Sequence, residues 1–183
     1  MPTPIGHALA GLAIGWSAES LQKLPTASRG RPSLVMICGG LAILPDADLI
    51  YLPIHRTLTH SVIAAVIAGL VCGYMLRRVP RVSCWQIAGI CALAYGSHIG
   101  LDWLGGDTKL PAGVQLLSPV TDQWFISSWN VFLPTHLGGF FTPPVILANV
   151  TAMVREVLIL GPFALVAWTV RCRTQRAGLN GVR

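Results

Sequence analysis

The charges in this chain fall between long apolar stretches and hardly ever inside them, and that segregation decides what kind of solvent the fold is built for. Of 183 residues, 53% are hydrophobic and 11% charged, against roughly 25% charged in an ordinary soluble domain. A soluble fold of this length could bury a core, but it would lack the polar residues to cover its surface. The pattern therefore predicts an all-α, polytopic transmembrane bundle in one membrane-embedded domain covering residues 1–183. About five membrane helices are expected, over residues 5–22, 33–45, 61–77, 84–104 and 152–171, with a short interfacial helix near 143–150. The stretch 105–142 reads as a long loop outside the membrane, and its Trp124, Phe125, Trp129, Phe132, Phe140 and Phe141 suit an interfacial belt. Small residues at Gly11 to Gly15 and Gly96 to Gly100 would let helix backbones approach closely in lipid.

A net charge of +6 could point to nucleic acid, but no basic run is interleaved with aromatics and no nucleic-acid motif is present, so no nucleic-acid partner is expected. The cations read as topological signals instead. Lys23, Arg29, Arg31, Arg77, Arg78, Arg81, Arg171, Arg173, Arg176 and Arg183 fall on one side of a five-span arrangement, the last four in or at the head of a basic tail, 172–183. Only Arg56, Lys109 and Arg155 fall elsewhere. The first face is thus expected to be cytoplasmic, in a bacterial inner membrane. The N-terminal Met1 to His7 has no basic region of the kind that precedes a cleaved signal, so the first apolar segment is expected to be retained. Cys38, Cys72, Cys84, Cys91 and Cys172 match neither a metal motif nor a disulfide framework, and read as small buried hydrophobes.

The opposite face receives all five histidines and five of the seven acids, or helix ends that approach it. Pro45-Asp46-Ala47-Asp48 ends one apolar helix with two carboxylates, and acids at membrane depth are costly enough to be functional candidates by default. Counted from Ser33 at 1.5 Å per residue, Asp46 lies about 20 Å along its helix, short of a hydrocarbon core of roughly 30 Å. His55-Arg56-Thr57-Leu58-Thr59-His60-Ser61 opens the next helix, where Thr59 or Ser61 could equally serve as a cap. His98 and Asp102 stand four residues apart on one helix face, a spacing that suits a shared metal ion or a plain His–Asp hydrogen bond. Together His7, Asp46, Asp48, His60, His98 and Asp102 offer mixed nitrogen and oxygen ligands, a set that suits zinc, manganese or iron better than magnesium. A polar network without metal and a proton or ion pathway are the alternatives.

The ordered motifs PDAD (45–48), HRTLTHS (55–61), HIGLD (98–102) and DTKLPAGVQLLSP (107–119) resemble those of the YdjM-type family of predicted bacterial membrane-bound metal-dependent hydrolases, from His7 to about Phe125. Thr57 stands where that family often has glycine and Ser118 where an aromatic is common. The family is in turn distantly similar to zinc-dependent phospholipases C. That likeness implies Asp46, His60, His98 and Asp102 as ligands of a first ion, most simply zinc, and His7 as a ligand of a second ion bridged by Asp102. The later HxxxE group of the phospholipases has no counterpart, since Phe140 follows His136 by four residues. The resemblance implies hydrolysis of a phosphoester or other ester, and the expected depth of the site in the outer half of the bilayer, among membrane lipid, favours a lipid-linked or amphipathic substrate. Asp48 would act as base or further ligand, Arg56 would pair with a phosphate, and His55 would be either a ligand or a neighbour of one. The non-enzymatic alternative is a membrane protein that senses or carries a divalent cation with the same residues.

Overall fold

A computed structural model describes residues 1–22, 33–78, 82–108, 110–136 and 138–180. Among these residues it is all-helical, with no strand. It has five α-helices: α1 (Pro4–Leu21), α2 (Leu34–Ile43), α3 (Val62–Met75), α4 (Cys84–Leu104) and α5 (Pro143–Asn180). Two 3-10 segments, Leu44–Ile54 and Leu58–His60, join α2 to α3. Two helices, α4 and α5, are long and apolar enough to cross a membrane, and α3 is a shorter apolar helix. Of the cations counted for orientation, Lys23, Arg29, Arg31, Arg81, Lys109 and Arg183 lie outside the described residues.

Four of the five helix starts among the described residues are written in the sequence. Thr3 caps α1 with Pro4 at the first helical position, where its missing N–H is not needed. Ser33 accepts the Met36 N–H at 3.2 Å and Ser61 accepts the Ala64 N–H at 3.1 Å. Ser83 and Gln86 close a reciprocal capping box on α4. Three boundaries differ most from the sequence expectation, one of them the end of α5, which runs to Asn180 through most of the expected basic tail 172–183. The α-helix of α2 stops at Ile43, because Pro45 has no N–H to return to the carbonyls behind it, and the chain continues in the tighter 3-10 form. Residues 143–150, expected as a separate interfacial helix, are instead the first turns of α5. That helix carries Pro162 in its interior, where the N–H to Leu158 is lost without ending it.

Packing runs through small residues. α1 lies against α2 and α5, and α3 against α4, with α2 and α1 also touching α4. A Cβ on Gly11 would come within 2.4 Å of the Cys38 carbonyl oxygen, and one on Gly69 within 2.4 Å of that of Ala88. Gly15 and Gly73, one turn further along, are equally tight against Val35 and Cys84. Gly96 and Gly100, which the sequence suggested for this role, meet nothing closer than Ala65 at 4.0 Å. The close approach in that helix pair comes from α3 instead.

The described residues of the stretch 105–142 form no regular element beyond isolated bridges pairing Gly105 with Phe132 and Val114 with Phe125. Gly113, at φ +96, presses against the Phe125 carbonyl so closely that a Cβ there would lie 2.1 Å from its oxygen. The loop is laid over the histidine-rich segment: Gln115 N–H donates to the Arg56 carbonyl at 3.0 Å and Val62 N–H to that of Leu116 at 2.9 Å. Phe132, expected in an interfacial belt, is buried in the interior, whereas Trp129, Phe140 and Phe141 are exposed.

Candidate metal centre

His7 sits in the first turn of α1, Asp46 in the 3-10 stretch after α2, His60 at the end of the short 3-10 turn before α3, and His98 and Asp102 near the far end of α4. Helix ends therefore deliver side chains from four parts of the chain to one place. The three histidines and Asp102 have no exposed side-chain surface, while Asp46 keeps 14%. Asp46 is thus where the cluster meets the outside.

The histidine tautomers are fixed from behind. His98 Nδ1–H donates to the Ala42 carbonyl at 2.8 Å, and a carbonyl can only accept, so Nε2 is left with its lone pair facing inward. His60 Nδ1 lies 3.3 Å from Asp48 Oδ2, whose carboxylate also accepts the Thr59 hydroxyl and stands 2.5 Å from His55 Nδ1. The two inward Nε2 atoms are then only 3.1 Å apart. Two lone pairs at that separation repel unless a proton or a cation lies between them.

Distances among the inward atoms fit a cation. A tetrahedral zinc with bonds of 2.0–2.2 Å holds its ligand atoms about 3.3–3.6 Å from one another. Here His60 and His98 Nε2 are 3.1 Å apart, and Asp102 Oδ2 is 3.4 and 3.2 Å from them. Asp46 Oδ1 is 3.8 and 3.5 Å from the same two nitrogens. Asp102 also turns Oδ1 toward His7 Nε2 at 3.5 Å. Neither oxygen of Asp102 and neither ring nitrogen of His7 has a hydrogen-bond partner, although all four are buried. Buried polar atoms are seldom left without a well-formed hydrogen bond, and a carboxylate facing three imidazole nitrogens at 3.2–3.5 Å is a geometry that a shared cation suits. His7, Asp46 and His98 also lie close enough together to share an ion.

Protons take up part of that strain in the metal-free protein. Burial would lower the His60 imidazole, but the carboxylates of Asp102, Asp46 and Asp48 outweigh it and raise the group to about 10. Burial would raise Asp48, but bonds from His55, His60 and Thr59 prevail and hold it well below the usual carboxylate range. Asp48 stays ionised behind its two histidines.

Beside Asp46 opens a cavity of about 320 Å³ lined by His55, Arg56, Asp107, Leu49, Leu110 and Trp124, among others. Arg56 does not point freely into it: its guanidinium is paired with Asp107, which also accepts the Gly113 N–H at 3.1 Å. Arg56 itself takes the left-handed backbone form, φ +67, uncommon for a residue with a side chain. His136 has its backbone N–H and carbonyl both held by the Asn149 amide at 2.8 Å. Sequence reasoning missed Asp107, although it opens the DTKLPAGV motif. It also missed the Ala42 carbonyl, for which no side-chain signal exists.

A family model described as YdjM inner membrane protein matches residues 1–178. The inner membrane protein YbcI of Escherichia coli (strain K12) is 32% identical over 158 residues, which cover 78% of this chain and 83% of that protein. No solved structure matches.

Proposed function

The chain belongs to the YdjM family of inner membrane proteins, and from that premise we propose a multi-pass membrane-bound metal-dependent hydrolase acting on a phosphoester or other ester of a lipid-linked substrate. One observation carries the metal: fully buried Asp102 faces three histidine nitrogens at 3.2–3.5 Å, two of them Nε2 atoms only 3.1 Å apart. Asp46, His60, His98 and Asp102 would hold a first divalent ion, most simply zinc. His7 and the second oxygen of Asp102 would begin a second, less complete ligand set. An ion held there would supply Lewis acidity and bring a water's pKa toward neutrality.

The residues around it have separable tasks. Asp48 and the Ala42 carbonyl hold the two imidazoles in the ligating tautomer. His55, bonded to Asp48 on one ring nitrogen and lining the cavity, is the group best placed to carry a proton to or from a substrate. Arg56, steadied by Asp107 at the same wall, would orient an anionic oxygen. Apolar Leu49, Leu110, Pro111 and Trp124 share the cavity with these polar groups, as an amphipathic substrate requires.

Membrane embedding of all five helices is supported by the exposed apolar side chains that run along α3 and α5. Arg77 and Arg78 follow α3 and Arg171, Arg173 and Arg176 lie in the last part of α5, a distribution that supports a reading with the metal centre and the stretch 105–142 on the non-cytoplasmic side. A second reading has its own support. Asp46, His60, His98 and Asp102 bound to one ion would fill a tetrahedron, and closed sets of that kind are common where zinc is structural. That reading makes the protein a metal-binding sensor, carrier or regulator without catalysis.

Metal analysis of detergent-purified protein tests both, beside a double variant His98→Ala, Asp102→Ala, followed by a screen of phosphoester and lipid substrates. Equal metal in wild type and variant sinks the centre. Metal lost in the variant with no hydrolysis by the wild type favours the closed, non-catalytic reading.

A further inference from the structure

Glu156 is fully buried on α5, away from the inward ligand atoms, and nothing in the metal centre uses it directly. Its carboxylate is spent on the start of α1. Oε1 accepts the Thr3 N–H at 2.8 Å and Oε2 accepts the Thr3 hydroxyl. Thr3 is the cap of α1, accepting the Gly6 N–H on its side chain at 3.4 Å and the His7 N–H on its carbonyl at 3.2 Å. A chain of hydrogen bonds therefore runs from Glu156 through Thr3 to the backbone of His7. Gly6 is shaped to this contact, since a Cβ there would meet Glu156 Oε2 at 2.6 Å.

A carboxylate at a helix N-terminus complements the orphan N–H groups and the helix dipole. That alone would account for a cap supplied by α1 itself. It does not account for a neighbouring apolar helix burying an acid completely, at considerable cost, to grip the one turn that carries His7. The His7 ring makes no hydrogen bond of its own; it is stacked on His98 with ring centroids 3.7 Å apart and faces Asp102 at 3.5 Å, so its backbone sets how it enters that stack. We propose that Glu156 is a positioning residue for the metal centre, fixing His7 against Asp102 by clamping Thr3. The inference rests on the reading of His7 as a ligand.

The test uses cobalt in place of the native ion and reads its visible spectrum and affinity in the full-length, detergent-purified protein. Glu156→Ala should alter the spectrum in the same sense as His7→Ala, weaken binding about tenfold, as supporting residues around metals do, and add little when combined with His7→Ala. Glu156→Gln, which can still accept one bond from Thr3, should restore part of the wild-type signal. Gly6→Ala should reproduce the Glu156→Ala spectrum, because the end of a flexible side chain yields before a helix backbone does. Glu19→Gln, which loosens the contact of α1 with α5 at its other end, should leave the spectrum unchanged. A folded Glu156→Ala protein with wild-type spectrum and affinity overturns the inference, as does an equal spectral change in Glu19→Gln. Wild type that takes up no cobalt overturns the metal reading itself, a different and separately visible result.

Discussion

The two ends of α1 each bury ionisable side chains, and they do so in opposite ways. Near one end Glu19 accepts the Arg171 Nε–H at 2.6 Å, an ion pair between α1 and α5 in which the buried carboxylate has its partner. Near the other, His7 and Asp102 are just as buried and leave four polar atoms without a hydrogen bond. The twelve steps along the chain from His7 to Glu19 span about 18 Å of helix, so one rigid rod presents both arrangements. Burial of charge is common to the two, and only its lack of satisfaction separates a functional cluster from a structural tie.

The sharpest way to break this contrast is to remove one member from each end. Asp102→Ala should abolish metal binding outright, while Arg171→Gln should retain the full metal content, both read by elemental analysis. Next in size is Asp48→Asn, which leaves the inward ligands in place but removes the charge behind His60; affinity should fall about 10–100-fold, as measured by competition with a chelator. Arg171→Gln should in turn cost about 1.5–3 kcal/mol of stability, the range for a hydrogen bond to a charged group, seen as a lower Tm with metal bound or absent. The smallest effect is on acid stability without metal. Because the folded-state value of Asp48 is depressed, its stabilisation is complete above the ordinary 3.8 and is lost as pH falls below that. Tm should decline over that acid range in the wild type, and Asp48→Asn should flatten that part of the decline. A flat wild-type profile would mean that Asp48 contributes nothing there.

Much of the fold could be read because the signals were local. Ser33, Ser61 and Ser83 mark helix starts that the structure places within two residues of expectation. The join between 143–150 and the following helix was hidden because Pro143 and Pro144 look like breakers, although both fall in the first turn, where a missing N–H costs nothing. In the site, the motif residues gathered as their order along the chain suggested, since His7, Asp46, His60, His98 and Asp102 each lie at a helix end. Glu156 and Glu19 were passed over because a lone acid in an apolar run carries no spacing pattern, and its partner is more than 150 residues away in each case. Phe132 illustrates the converse: an aromatic in a loop reads as surface until the loop folds back on the bundle.

Ala42 joins two requirements in one residue. Its methyl is hemmed in by α1, since a Cβ on Gly11 would lie 2.6 Å from it, and its carbonyl holds His98 at 2.8 Å. No side-chain substitution at position 42 can delete that carbonyl, so the tautomer of His98 is insulated from ordinary mutation there. It is exposed to mechanics instead. Anything that levers α1 away from α2, whether a methyl group at position 11 or a change in the lateral pressure of the surrounding lipid, acts directly on the bond that keeps an imidazole in its ligating form.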